Sequence, residues 1–147
     1  MDRQSFEGFS LVLPEGWTDV LDESTYVEHE ELPPFRFAAA HGKGALLVSA
    51  ADFHPDDHGG ADPDEVLALA HEWGARRGLG KPLKEKSEAA GEHAIASVVY
   101  EVRGDFVELW FLTNGRALVE ASYVCPWADR EVERPEREAI MASLRFT

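Results

Sequence analysis

Apolar and polar residues alternate near the start of the chain, where Phe9, Leu11 and Leu13 interleave with Ser10 and Val12. Period two predicts a strand from Ser5 to Leu13, closed by the turn residues Pro14-Glu15-Gly16 ahead of Trp17. An acidic, amphipathic stretch over Thr25–His29 suits an edge strand or a loop, and Pro33-Pro34 ends it. Phe35–Ala40 and Ala45–Ala51 are apolar strands predicted to pair antiparallel across His41-Gly42-Lys43-Gly44, whose glycines permit positive φ. Asp52–Gly60 lacks apolar periodicity and reads as an exposed loop.

The period then changes from two to 3.6. Val66, Leu69, Ala70 and Trp73 form one apolar stripe of a helix predicted over Pro63–Arg77. Asp62 is placed to accept from the amide of Glu65, which completes a capping box, and Pro63 sits where a missing N–H costs nothing. Arg76 and Arg77 complement the C-terminal dipole, and Gly78 offers a left-handed exit.

Strands return over Ile95–Val102, Phe106–Thr113 and Arg116–Cys125, with turns at Arg103-Gly104-Asp105 and at Asn114-Gly115, a type I′ signal. The middle strand is apolar on both sides, Val107, Leu109 and Phe111 against Phe106, Trp110 and Leu112, which predicts a sheet covered on both faces. A last helix is predicted from Pro135, with Ala139, Ile140 and Leu144 inward, before Ser143–Phe146 returns as a strand. No repeat or long linker interrupts the pattern, so residues 1–147 read as one α+β domain, an antiparallel sheet flanked by helices. Its first and last strands are predicted to close the same sheet.

Composition changes the picture mainly through charge. Fourteen Lys and Arg face 28 Asp and Glu, a formal net charge of -14 that argues against nucleic acid and bare membrane as partners and favours a basic protein. Cys125 is alone, which excludes an intrachain disulfide and a cysteine zinc cage and suits a reducing compartment. The first residues carry no apolar signal core, and no apolar run reaches the roughly 20 residues of a membrane span. A cytoplasmic protein is the expectation.

Leu13, Pro14, Gly16, Trp17 and Asp19 at one end, with Ser143, Arg145 and Phe146 at the other, resemble the motifs of the PsbP-like fold, in particular the DcrB-related small bacterial proteins. The resemblance implies a PsbP-like sandwich over nearly the whole chain and a non-enzymatic role. Related domains serve as an extrinsic photosystem subunit, a Ran-binding import factor and chaperones of secreted effectors, each using the sheet and its loops for docking.

The candidate chemistry is sparse. The loop from Asp52 to Asp62 holds His54, Asp56 and His58, the candidate metal set; Pro55 and Gly59-Gly60 oppose the helix that the His spacing would need, and a solvated loop is the simpler reading. Carboxylates at Asp19, Asp22, Glu23, Glu28, Glu30 and Glu31 can face a basic partner or simply hydrate an edge. Trp73 and Trp110 read as core, whereas Trp17 and Trp127 adjoin proline turns and are candidates for a docking rim. Cys125 has no obvious base, His71 and His93 being the alternatives, and reads as an inert buried thiol. No set of nucleophile, base and oxyanion donors can be named.

The expectation is therefore a non-catalytic, cofactor-free accessory factor, monomeric or homodimeric. It is either an effector chaperone or an immunity-type inhibitor, binding a basic protein or an apolar effector segment through Trp17, Asp19, Glu28, Glu30, Glu31 and Trp127. The alternative is a small-ligand or metal-binding domain using residues 52–62.

Overall fold

The computed structural model describes residues 2–19, 35–52, 62–91 and 93–147. In chain order the elements are β1 (Arg3–Phe6), β2 (Phe9–Val12), β3 (Trp17–Asp19), β4 (Phe35–Ala39), β5 (Ala45–Asp52), α1 (Pro63–Arg76), β6 (Lys84–Ala90), β7 (His93–Val102), β8 (Asp105–Thr113), β9 (Ala117–Pro126), α2 (Arg134–Ser143) and β10 (Arg145–Phe146). β1, β2 and β10 form a small sheet, and the others form a seven-stranded sheet ordered β3-β4-β5-β9-β8-β7-β6. Every pairing is antiparallel. Two meanders, β3–β5 and β6–β9, are joined by α1, which carries the chain from β5 to the far edge.

The two-sided apolar pattern of β8 decides the layering. Val107, Leu109 and Phe111 pack with Val66 and Ala70 of α1. Phe106, Trp110 and Leu112 face the opposite way, into a second core with Phe9 and Leu11 of the small sheet and Ile140 and Met141 of α2. Burial on both faces is what a strand without a polar side requires.

The chain ends are clasped as the sequence predicts. Phe146 pairs with Phe9 and Arg145 with Ser10. Ser143 Oγ accepts from Val12 N at 2.9 Å and donates to the Ile140 carbonyl at 2.7 Å, so one hydroxyl ties the end of α2 to β2. The Pro14-Glu15-Gly16 turn closes through Trp17 N to the Pro14 carbonyl at 3.1 Å, with Gly16 at φ +88°, and moves the chain from the small sheet to the large one.

Several local expectations are corrected. The strand predicted over Ser5–Leu13 is a hairpin, broken by Glu7-Gly8 with Gly8 at φ +90°. Alternation continues across a two-residue turn, so periodicity alone does not reveal the break. The type I′ geometry belongs to Arg103 and Gly104, at φ 53° and 86°. At the other hairpin, Asn114 Oδ1 instead accepts from Arg116 N and Ala117 N at 2.9 and 2.8 Å, an Asx turn. Asp62 caps α1 by accepting from Asp64 N at 2.9 Å, not from Glu65. In α2, Ala139 is exposed, and the helix instead buries Arg137 with Ile140 and Met141. The segment Thr25–His29 and the loop after Asp52 lie outside the described residues.

Helix α1 sits close to β7 because residue 74 has no side chain. A Cβ there would lie 2.3 Å from Tyr100 Oη and 2.8 Å from its Cζ, and that ring is 1% exposed. Gly74→Val is expected to destabilise by about 2–3 kcal/mol, overpacking outweighing the helix propensity gained. Tyr100→Phe in the same chain should recover part of that loss in a urea-denaturation cycle, because it removes the nearest atom.

Candidate functional site

Helical spacing puts charged residues on the inward side of α2. Glu133 at its N-cap is 6% exposed and Arg137 is 3% exposed. Such groups remain charged at tolerable cost only when fully partnered. Glu133 Oε1 accepts from Tyr123 Oη at 2.6 Å and from the amides of Gly44 and Lys43 at 2.9 and 3.0 Å. The β4–β5 loop must come very near for this. A Cβ on Gly42 would stand 2.6 Å from Glu133 Oε2, and one on Gly44 2.4 Å from the Val124 carbonyl. Neither glycine has positive φ, so both serve close approach and not the left-handed turn expected of them.

Arg137 donates from Nε to Glu108 Oε1 at 3.1 Å and from Nη1 to the Arg130 carbonyl at 2.8 Å. Its guanidinium also lies over the rings of Phe106 and Tyr123, at 4.7 and 4.8 Å. Burial raises the pKa of Glu108, opposed by the hydrogen bond and charge of Arg137. Burial, then the bond to Glu133, holds the Tyr123 hydroxyl well above the usual phenol range.

Beside this cluster runs a groove of about 260 Å³, between α2 with its preceding 3-10 turn (Trp127–Asp129) and β6, β7 and β8. Val99 and Phe106 contribute apolar surface, and half-buried Trp127 packs on Phe106 at 6.2 Å between centroids. Trp127 N donates to the Gly104 carbonyl at 2.9 Å, and the Arg130 guanidinium lies 4.4 Å over the indole. Lys84 and Lys86 line the groove from β6, the last strand of the sheet. Arg134 is held by Glu131 and Glu138 at 3.2 and 2.9 Å. Among the described residues five Lys and Arg line the groove with three Glu, a surplus of two positive charges in a protein of net -14.

The residues predicted to form a docking rim do not converge. Trp17 is 6% exposed and belongs to the core between the sheets, because the Gly16 turn swings its ring inward as the chain changes sheet. It offers no ring to a partner. Asp19 is exposed on β3, at the opposite edge of the large sheet from β6. Among the described rim residues only Trp127 lines the groove. Glu28, Glu30 and Glu31, and the candidate metal set His54, Asp56 and His58, lie outside the described residues. No group of three or more His, Cys, Asp or Glu suited to a metal ion occurs among the described residues.

Cys125 is 2% exposed, and burial raises its pKa, which disfavours the thiolate. His71 instead pairs with Glu85 at 2.5 Å, and His93 packs on Phe146 at 5.0 Å. In the strand register Cys125 lies across β8 from Glu101, eight residues and so roughly 26 Å along β7 from His93.

The sequence reading missed Glu108, Glu133, Arg137, Lys84, Lys86 and Arg130. The signal for two of them was available: Glu133 and Arg137 share the face that Ile140 and Leu144 define.

No protein-family model matches the chain, and no curated protein does. Among solved structures it is similar to the cyanobacterial PsbP protein CyanoP of Synechocystis sp. PCC 6803, with TM-score 0.68 at 12% identity, over 99% of this chain and 92% of that one. It is also similar to a crystal structure from Bacteroides thetaiotaomicron VPI-5482, with TM-score 0.50 at 15% identity, over 95% of this chain and 45% of that one. The fold is PsbP-like. Among the described residues no helix is long and apolar enough to cross a membrane.

Proposed function

We propose that this chain is a non-catalytic protein-binding accessory domain of the cytoplasm, and that it docks its partner in the groove between α2 and the β6–β8 margin. The observation that carries this reading is Trp127, half-buried on Phe106 in a groove whose far side is lined by the edge strand β6. Aromatic anchors in partly desolvated grooves and sheet edges are two recurring means of holding protein segments. Of the two accessory roles, shielding a segment of another protein suits the groove better than neutralising a basic toxin, since its cations outnumber its carboxylates. This accords with the docking roles that the DcrB-related resemblance implies.

A photo-cross-linking residue at Leu83, 59% exposed on the groove, is expected to capture one protein in cells that make this chain naturally. The same residue at Arg76 on α1, on the opposite face of the sheet, should capture none. Equal capture at both positions, or none at either, overturns the proposal.

A further inference from the structure

We infer that the partner segment held at this groove is extended and adds as a strand along β6, at the groove's open margin, with acidic side chains opposite Lys84 and Lys86 and an apolar side chain beside Leu83. This inference rests on the docking reading above and specifies its chemistry. β6 pairs with β7 on one side, and on the other side no strand pairs with it among the described residues. Its outer N–H and C=O groups form a template for another backbone.

Register determines what an added strand meets. Lys84 lies opposite Val99 and Lys86 opposite Ser97, so both lysines share the groove side of the sheet with those residues. Both are exposed, and neither forms an ion pair among the described residues. The other charges of the groove are largely spoken for: Arg137 is bound to Glu108, and Arg134 to Glu131 and Glu138. Lys86 also acts on Glu108, and exposed Glu88 follows it on the same face of β6, so the cationic stretch of the edge strand is its Lys84–Lys86 end beside the groove. A neighbouring strand runs about 4.8 Å away with side chains alternating between faces, so residues two apart in it meet the two lysines. The next residue on that face continues toward Leu83, which is exposed just ahead of β6.

The probe is a labelled peptide, acetyl-Thr-Glu-Thr-Glu-Thr-Leu-Thr-amide, compared by fluorescence polarisation with its counterpart carrying Lys for Glu. The acidic peptide is expected to bind at least about tenfold more tightly, and to weaken several-fold as salt rises from about 20 to 300 mM. Charge reversal in the double variant Lys84→Glu, Lys86→Glu should invert the preference. Because both side chains are exposed, circular dichroism should register an intact fold. Equal binding of the two peptides, no binding of either, or indifference to the reversal overturns the inference. Should cross-linking at Leu83 capture a partner whose contacting segment is basic, the docking reading survives and this inference fails; without capture at Leu83, the docking reading fails on its own test.

Discussion

Glu133→Ala is expected to lower the unfolding free energy by about 3–5 kcal/mol, a large share of the roughly 5–15 kcal/mol that holds a domain folded. The substitution leaves three donors, Tyr123 Oη and the amides of Lys43 and Gly44, without their shared acceptor. Each buried orphan costs roughly 1–3 kcal/mol, partly relieved where water enters. Glu133→Gln keeps an acceptor but not its charge and should lose about half as much. Urea denaturation reads both, with the m-value unchanged if the cluster is local. A loss under about 1 kcal/mol for the alanine variant would mean that the β4–β5 loop does not depend on this carboxylate.

Alkaline pH is expected to unfold the protein unusually readily. Burial is the leading cause of a raised pKa for Cys125, Tyr100 and Tyr123 alike. In the unfolded chain these groups ionise at about pH 8.5–10, while the folded chain keeps their protons to higher pH. Above that range the unfolded state binds fewer protons, so stability falls as pH rises, by about 1.4 kcal/mol per pH unit for each group fully engaged. Tyr123, whose hydroxyl is raised most by burial and its bond to Glu133, carries this loss furthest into the alkaline range. Urea midpoints at about pH 8, 10 and 11 test this, and Tyr123→Phe should flatten the profile at its alkaline end. A flat profile to about pH 11 would show that these protons are lost from both states together.

Much of the fold was legible because it rests on periodicity. The two faces of β8, the stripe of α1 and the closing Ser143–Phe146 segment each carry a pattern that only one kind of element satisfies. Turn chemistry was less legible, since the same dipeptide serves different ends: Asn114-Gly115 uses the asparagine side chain as an acceptor, whereas Arg103-Gly104 supplies the positive φ. The glycines at 42 and 44 look like turn residues locally, and only the arrival of Glu133, some 90 residues later, explains them. The groove was least legible. It joins β6, β7, β8 and α2, and a lysine on an edge strand looks identical in sequence whether it faces solvent or a helix across a cleft. Trp17 was misassigned for a related reason, because a tryptophan after a proline turn points inward or outward according to the sheet it enters.

The small sheet joins residues 3–12 to residues 145–146, with Arg3 Nη1 reaching the Ser143 carbonyl at 2.7 Å. During synthesis the first hairpin therefore leaves the ribosome long before the strand that completes its sheet, with Phe9 and Leu11 already in need of cover. Assembly of that layer waits for residues 145–146, which makes the nascent chain, more than the folded domain, the form exposed to aggregation.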